Sequence, residues 1–310
     1  MSKVEICYPN FTKKAITFSI DDGHVTYDSM LLDIVRPAGI LGTFNLCSDR
    51  QALTPDEYRA LYDGYEIANH CKYHPHAFAD GVEYDLSDEI YDENTAIEGK
   101  VYRHASIPNM YIFCRAPGRW RRITDADTYV ELIKAGRREL EEIFGKGSVT
   151  GYVWPFFEQE SALVQAYLRE AGYYSVRKTG ALRDSTGFNF YEDPMRWSYN
   201  ASHSDLLEVA ELYDKYPDDG RLKVFCFGVH SVDFERADKW GDLRRFAELY
   251  GGRPTDFWYA TVRDIFAYNM AAAELVVSDA ELRNESSLTL YIKVDGKHAE
   301  LLAGETYKLV

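Results

Sequence analysis

The chain has 310 residues, 46% of them hydrophobic and 27% charged, and 50 acidic against 35 basic side chains leave a formal charge of −15. This is ordinary globular usage, which excludes disorder, collagen-like repeats and low-complexity scaffolds. The negative field repels phosphate backbones and anionic lipid, so neither nucleic acid nor a membrane surface is expected as a partner.

Apolar runs such as 224–229 fall far short of the ~18 residues that a membrane-spanning helix needs. The cysteines Cys7, Cys47, Cys71, Cys114 and Cys226 are odd in number and scattered, with no Cys-x-x-Cys pair or zinc-ribbon spacing. Reduced thiols, and a start at Met1 without a basic region followed by an apolar run, lead to the expectation of a cytoplasmic protein. The length exceeds the ~150 residues of a typical domain, but α/β barrels of ~250 residues fold as one unit, so one large domain plus an appendage is expected.

From residue 15 the chain alternates short β-rich runs with helix-patterned segments, as α/β folds with parallel strands do. Strands are predicted at 15–20, 41–46, 65–69, 152–154, 173–177 and 222–229, most of them apolar along their length, as strands covered on both faces are. Residues 77–123 interrupt this rhythm with acidic, Tyr-rich sequence containing Arg103, His104, Arg115 and Arg119, and their length points to a functional excursion or lid. A helix is predicted from Thr124, where Thr-Asp-Ala-Asp resembles a capping box, through Tyr129, Ile133, Leu140 and Ile143 to a stop at Gly145 and Gly147. Further helices are predicted at 161–170, 205–213, 243–250 and 262–270. After about residue 275, Leu288, Leu290, Ile292 and Val294 alternate with Thr289, Tyr291 and Lys293, and Asp295-Gly296 marks a hairpin turn. A small β-rich segment therefore closes the chain, and no repeat of solenoid period is present.

Three places carry chemistry. Asp21-Asp22-Gly23 ends an apolar strand, the place where α/β barrels put their active sites, although Asp-Asp-Gly also makes ordinary solvated turns. His70 and His74 stand four residues apart, a spacing that lets two imidazoles face one point, and Pro75 disfavours helix at His74, so the pair belongs on a loop or a terminating turn. Surface histidines are the bland counterpart. Asp22, His70 and His74 together offer one oxygen and two nitrogens and leave coordination positions open, as catalytic zinc and facial-triad iron sites do, with Asp21 left over as a base. His230 follows the apolar run 223–229 and emerges at a strand's carboxyl end, unless it is a hydrogen-bonded core histidine.

In this order, Asp-Asp-Gly, His-x-x-x-His-Pro and a late strand ending in Val229-His230 resemble the polysaccharide deacetylases of carbohydrate esterase family 4, over roughly residues 10–270. The resemblance implies an α/β fold, an irregular (β/α) barrel over 1–270 with the excursion at about 77–123, followed by the β-rich segment 271–310. It implies Asp21 as general base, Asp22, His70 and His74 as metal ligands and His230 as general acid, with Cys71 where the family usually has Ser or Thr. The family's third motif, an Arg-Pro-Pro-Tyr-like turn before a helix, has two candidates, Arg115-Ala116-Pro117-Gly118 and Val153-Trp154-Pro155-Phe156. Context favours the second, which follows a long helix and precedes the helix at 161. Val153 then stands where the family has the arginine that orients its base, and Arg115 or Arg177 is left to replace it. The fourth motif, an Asp and a Trp that tune the catalytic histidine, is unmatched at Ser175-Val176-Arg177-Lys178-Thr179, so Asp233 becomes the local candidate for keeping His230 protonated.

Trp197 and His203, in the run 196–203, are candidates for lining a sugar pocket, and of Trp120, Trp154, Trp240 and Trp258 only Trp154 has motif support. The expected activity is metal-assisted removal of an acetyl group from an N- or O-acetylated carbohydrate, a soluble oligosaccharide or small glycoside, with a backbone amide near Phe156 stabilising the oxyanion. Zinc is the default ion for such redox-silent hydrolysis, with Co2+, Fe2+, Mn2+ and Ni2+ as the others considered. Two competing readings are a metal-dependent amidohydrolase on a non-sugar amide and an inactive glycan-binding or scaffolding relative, the latter motivated by Val153. The sequence carries no signal for oligomeric state.

Overall fold

The computed structural model describes residues 2–50, 52–77, 89–90, 92–98, 100–116, 118–156, 161–177, 188 and 197–309. In chain order the elements are β1 (Val4–Cys7), β2 (Lys14–Asp22), α1 (Val25–Val35), β3 (Thr43–Leu46), α2 (Pro55–Leu61), β4 (Glu66–Asn69), β5 (His76–Ala77), β6 (Glu89–Ile90), β7 (Val101–His104), β8 (Tyr111–Ala116), β9 (Arg119–Thr124), α3 (Ala126–Phe144), β10 (Gly151–Val153), α4 (Ala162–Glu170) and β11 (Ser175–Arg177). They continue as α5 (Leu206–Lys215), β12 (Lys223–His230), α6 (Ser231–Arg236), α7 (Trp240–Tyr250), β13 (Phe257–Tyr259), α8 (Val262–Ala273), β14 (Leu275–Val277), β15 (Glu281–Asn284), β16 (Leu290–Val294), β17 (Lys297–Leu301) and β18 (Thr306–Lys308). The fold is α/β. The chain divides into two compact units, Met1–Phe44 with Leu61–Glu66 and Gly180–Val310, and Asn45–Ala60 with Ile67–Thr179; β3 and β4 each begin in the first and end in the second.

In the first unit β2 is the central strand. It pairs in parallel with β12, in register from Lys14↔Lys223 to Asp21↔His230, and with β13. Residues 15–21 of β2 are all buried, which is why this strand reads as apolar without alternation. Phe18 packs on Phe44 at 5.5 Å and on Phe227 at 5.4 Å, and Phe225 and Phe227 each meet Phe246 of α7 at 5.5 Å. Gly42 is required by this core, because a Cβ there would lie 2.4 Å from the Phe18 ring.

The closing β segment forms two small sheets, β1-β16-β17 and β14-β15-β18. The expected hairpin turn is present, with Asp295 at φ 47° and Gly296 at φ 84°, the left-handed pair that a type I′ turn requires. The N-terminal strand β1 pairs antiparallel with β16. The Tyr268 hydroxyl of α8 donates to the Cys7 carbonyl and accepts from the Tyr291 amide at 2.8 Å, which fastens this sheet to the helix.

In the second unit β10 pairs in parallel with β4 and β11, with Val153 opposite Arg177. Helix α3 starts one residue later than the sequence suggests: Asp125 is the N-cap and accepts from the Thr128 amide at 2.7 Å. Thr124 does not serve because it ends β9, with its hydroxyl committed to the Asn109 carbonyl at 2.9 Å. The described part of the 77–123 excursion is a sheet of order β5-β9-β8-β7-β6. One side of it carries its own core of Ile90, Ala96, Tyr102, Ile112 and Cys114, with Trp120 packed against it.

Candidate active site

In both units the singled-out residues emerge at the carboxyl ends of parallel strands. In the first unit, the β2-β12 register makes Asp21 and His230 direct Cα partners. Asp21 is 6% exposed, and Asp22 takes a left-handed φ of 80° followed by Gly23 at 73°, so the chain leaves the strand sharply before α1. A non-glycine residue there is strained by about 1–2 kcal/mol, the kind of cost kept where a side chain must be aimed. Asp22 Oδ2 lies 3.5 Å from His24 Nε2 and 3.9 Å from His230 Nε2.

His230 is the N-cap residue of α6, and Asp233 lies in the first turn of that helix. Its Nδ1 lies 2.8 Å from Asp233 Oδ2, and its amide donates to the same oxygen at 3.3 Å. A carboxylate only accepts, so Nδ1 carries a proton. Burial opposes the charged ring, but the Asp233 hydrogen bond and the charges of Asp21, Asp22 and Asp233 outweigh it and raise its pKa to about 9. Asp233 is held below the usual carboxylate range: burial opposes this, and the hydrogen bond and charge of His230 prevail.

In the second unit, His70 follows β4 and its Nδ1 lies 2.9 Å from the Val153 carbonyl. A carbonyl can only accept, so Nδ1 holds the proton and Nε2 presents a lone pair, the tautomer that a metal-ligating histidine adopts. His74 Nε2 lies 3.1 Å from His70 Nε2. Two nitrogens ligating one tetrahedral zinc at 2.0–2.1 Å stand about 3.3 Å apart, so the pair fits a shared divalent ion. The loop that brings them together has Cys71, Tyr73 and His74 at φ 63°, 67° and 50°, so it is irregular rather than helical. Cys47, at the end of β3, places a ligand atom within 4.8 Å of His70's and donates its thiol hydrogen to the His70 carbonyl at 3.5 Å. No ligand spacing in the sequence marks this thiol, although it directly follows a predicted strand.

The other candidates are placed as follows. Val153, where the family's arginine is expected, uses its carbonyl to hold His70, while Arg177 is its β11 neighbour and is 1% exposed. Trp154 is 4% exposed and stacks on Tyr129 at 5.9 Å; Pro155 is buried; Phe156, at φ 58°, meets His74 edge-on at 4.4 Å and stacks on His76 at 3.5 Å. In the first unit Trp197 is 5% exposed against Phe266, and His203 faces Phe234 at 6.2 Å. Arg115 lies in β8; its side chain, with Pro117, Lys178, Thr179 and Arg196, is outside the described residues.

The sequence profile described as polysaccharide deacetylase matches residues 9–176, more than half of the chain. The chain belongs to the polysaccharide deacetylase family. Its class is therefore that of the carbohydrate deacetylases, hydrolases of acetylated sugars. The matched segment contains Asp21, Asp22, His70 and His74, while His230 lies beyond it. Among solved structures, a candidate polysaccharide deacetylase from Mycobacterium smegmatis is 15% identical, with 88% of this chain and 96% of that chain covered and a TM-score of 0.53, which shows a shared fold. A carbohydrate esterase family 4 enzyme from Streptococcus mutans is 12% identical over 83% and 92% of the two chains, with a TM-score of 0.47. A family 4 carbohydrate esterase from Streptomyces lividans, in complex with acetate, is 14% identical over 76% and 86%, with a TM-score of 0.42. No curated protein matches the chain.

Proposed function

We propose that this deacetylase is metal-dependent and removes the acetyl group of an N- or O-acetylated soluble oligosaccharide or small glycoside. In this reading Asp22, His70 and His74 hold a divalent ion, with zinc as the default. The supporting observation is the convergence of His70 Nε2 and His74 Nε2 at 3.1 Å, with the His70 tautomer fixed by the Val153 carbonyl. A bound divalent ion supplies Lewis acidity that polarises the acetyl carbonyl and lowers the pKa of water.

Asp21, as a carboxylate, accepts the proton of the attacking water. His230, charged near neutrality, returns a proton from Nε2 to the departing amine or alkoxide, while Asp233 holds Nδ1 and keeps the ring oriented. A backbone amide near Phe156 stabilises the oxyanion.

The test begins with metal content of protein never exposed to chelator, followed by acetate release from acetylated oligosaccharides. Asp21→Asn and His230→Ala are expected to retain the ion and to lose about 10²–10⁴-fold in kcat. Full turnover in both would remove them from the acid and base roles. The burial of Trp154 and Trp197 favours a second reading, a non-sugar amide, because neither ring offers an open face for a sugar. Small acetylated amides in the same screen separate the two.

A further inference from the structure

The position of His74 depends on the backbone of Tyr73. With Cys71, Tyr73 and His74 all left-handed, the 71–74 loop persists only where its surroundings over-determine it. The N–H of Tyr73 donates to Asp49 Oδ1 at 2.9 Å, and its carbonyl accepts from Arg122 Nη1 at 3.1 Å. Arg122 Nη1 and Asp49 Oδ2 are 3.9 Å apart, so two opposite charges grip the peptide groups on either side of one residue and also attract each other.

Arg122 is itself braced. Its Nε and Nη2 donate to Glu93 Oε1 at 3.2 and 3.1 Å, and its guanidinium sits 5.9 Å from the Tyr73 ring centroid and 5.5 Å from that of Trp120. Arg122 belongs to β9 and Glu93 to the short turn Glu93–Thr95, both within the excursion. Desolvating a guanidinium is costly unless its donors are satisfied, and here Glu93 takes two of them and leaves Nη1 aimed at the residue that precedes His74.

We propose that Arg122 and Asp49 are positioning residues that act through Tyr73 to hold His74 Nε2 opposite His70 Nε2, so that the inserted sheet sets the metal affinity of the histidine pair. The proposal rests on the metal-dependent reading above. Outer partners of metal ligands typically tune affinity by about 10–100-fold.

The experiment is a zinc competition titration against a chromophoric chelator on the full chain, with the absorption spectrum of the Co2+-loaded protein as a second readout and thermal unfolding of the metal-free protein as a control. Arg122→Ala and Asp49→Ala are expected to weaken zinc by about 10–100-fold and to alter the cobalt spectrum. Asp49→Asn, which keeps an oxygen for the Tyr73 amide, is expected to restore most of the affinity. Ile90→Val, on β6 and separated from β9 by β8 and β7, thins the sheet's own core away from Arg122, and is expected to lower the unfolding temperature while leaving zinc affinity unchanged. Wild-type affinity in Arg122→Ala, or an equal loss in Ile90→Val, would overturn the proposal. A wild-type protein that binds no zinc would instead overturn the metal-dependent reading, and the proposal with it.

Discussion

The protonation of His230 turns on one carboxylate three residues after it. Asp21, Asp22 and Asp233 all favour charge on His230, but a cation bound to Asp22 would offset the negative charge on that side, and Asp233 alone adds a hydrogen bond to its charge. Because the pKa is raised, the acid form is complete at low pH and disappears as pH rises through the elevated value. Asp233→Asn removes the charge, so the alkaline limb of the kcat/KM profile is expected to move down by about one unit or more. An unmoved limb in a pH-rate series would assign it to another group. Much at this scale was legible in sequence. Asp21, Asp22, His70 and His230 end or directly follow apolar runs, and Asp233 is close in the chain to the histidine it serves. The Tyr73 clamp was not legible, because Asp49 and Arg122 lie 24 and 49 residues away and are ordinary charged residues in isolation.

At the scale of elements, the long buried strands were readable because strands covered on both faces show continuous apolar sequence, whereas the excursion hid its sheet. Arg119–Thr124 places arginines on both of its faces, so no apolar alternation marks it as a strand, and the small core it covers is assembled from separate short segments. Another buried device is visible only in the structure: Glu66, 1% exposed, accepts from the Thr43 hydroxyl at 2.6 Å and from the Arg263 amide at 2.7 Å in the first turn of α8. Burial pushes its carboxyl up to about 7, against the hydrogen bonds that favour charge. A folded-state pKa above the unfolded one means that its contribution is fully present below about 4.5 and is lost as pH rises through about 7, on the order of 3 kcal/mol. Glu66→Gln retains an acceptor for both donors and carries no charge. Its unfolding temperature is expected to depend less on pH between 5 and 7 and to exceed wild type at pH 8. Parallel melting curves for the two proteins would expose the opposite result.

For the molecule as a whole, no helix among the described residues is long and apolar enough to cross a membrane. The first unit joins both ends of the chain, since β1 is completed by β16 and Tyr268 is bonded to both strands. Removing residues 288–310 would take away the buried side chains of Leu290 and Ile292, whose burial is worth about 1.5–3 kcal/mol each, and would leave β1 without its partner strand. The truncated chain is expected to unfold at markedly lower temperature, and calorimetry showing an unchanged transition would mean that this segment is dispensable. The pairing of β2 with β12 has a consequence for how the chain can change over time. Side chains alternate faces with a period of two, so a single inserted or deleted residue that slipped β12 by one position against β2 would turn His230 to the opposite side while leaving its chemistry intact. Substitutions along 223–229 can be absorbed by repacking, but a change of length cannot. The place of His230, the proposed proton donor, is therefore guarded less by the identity of its neighbours than by their number.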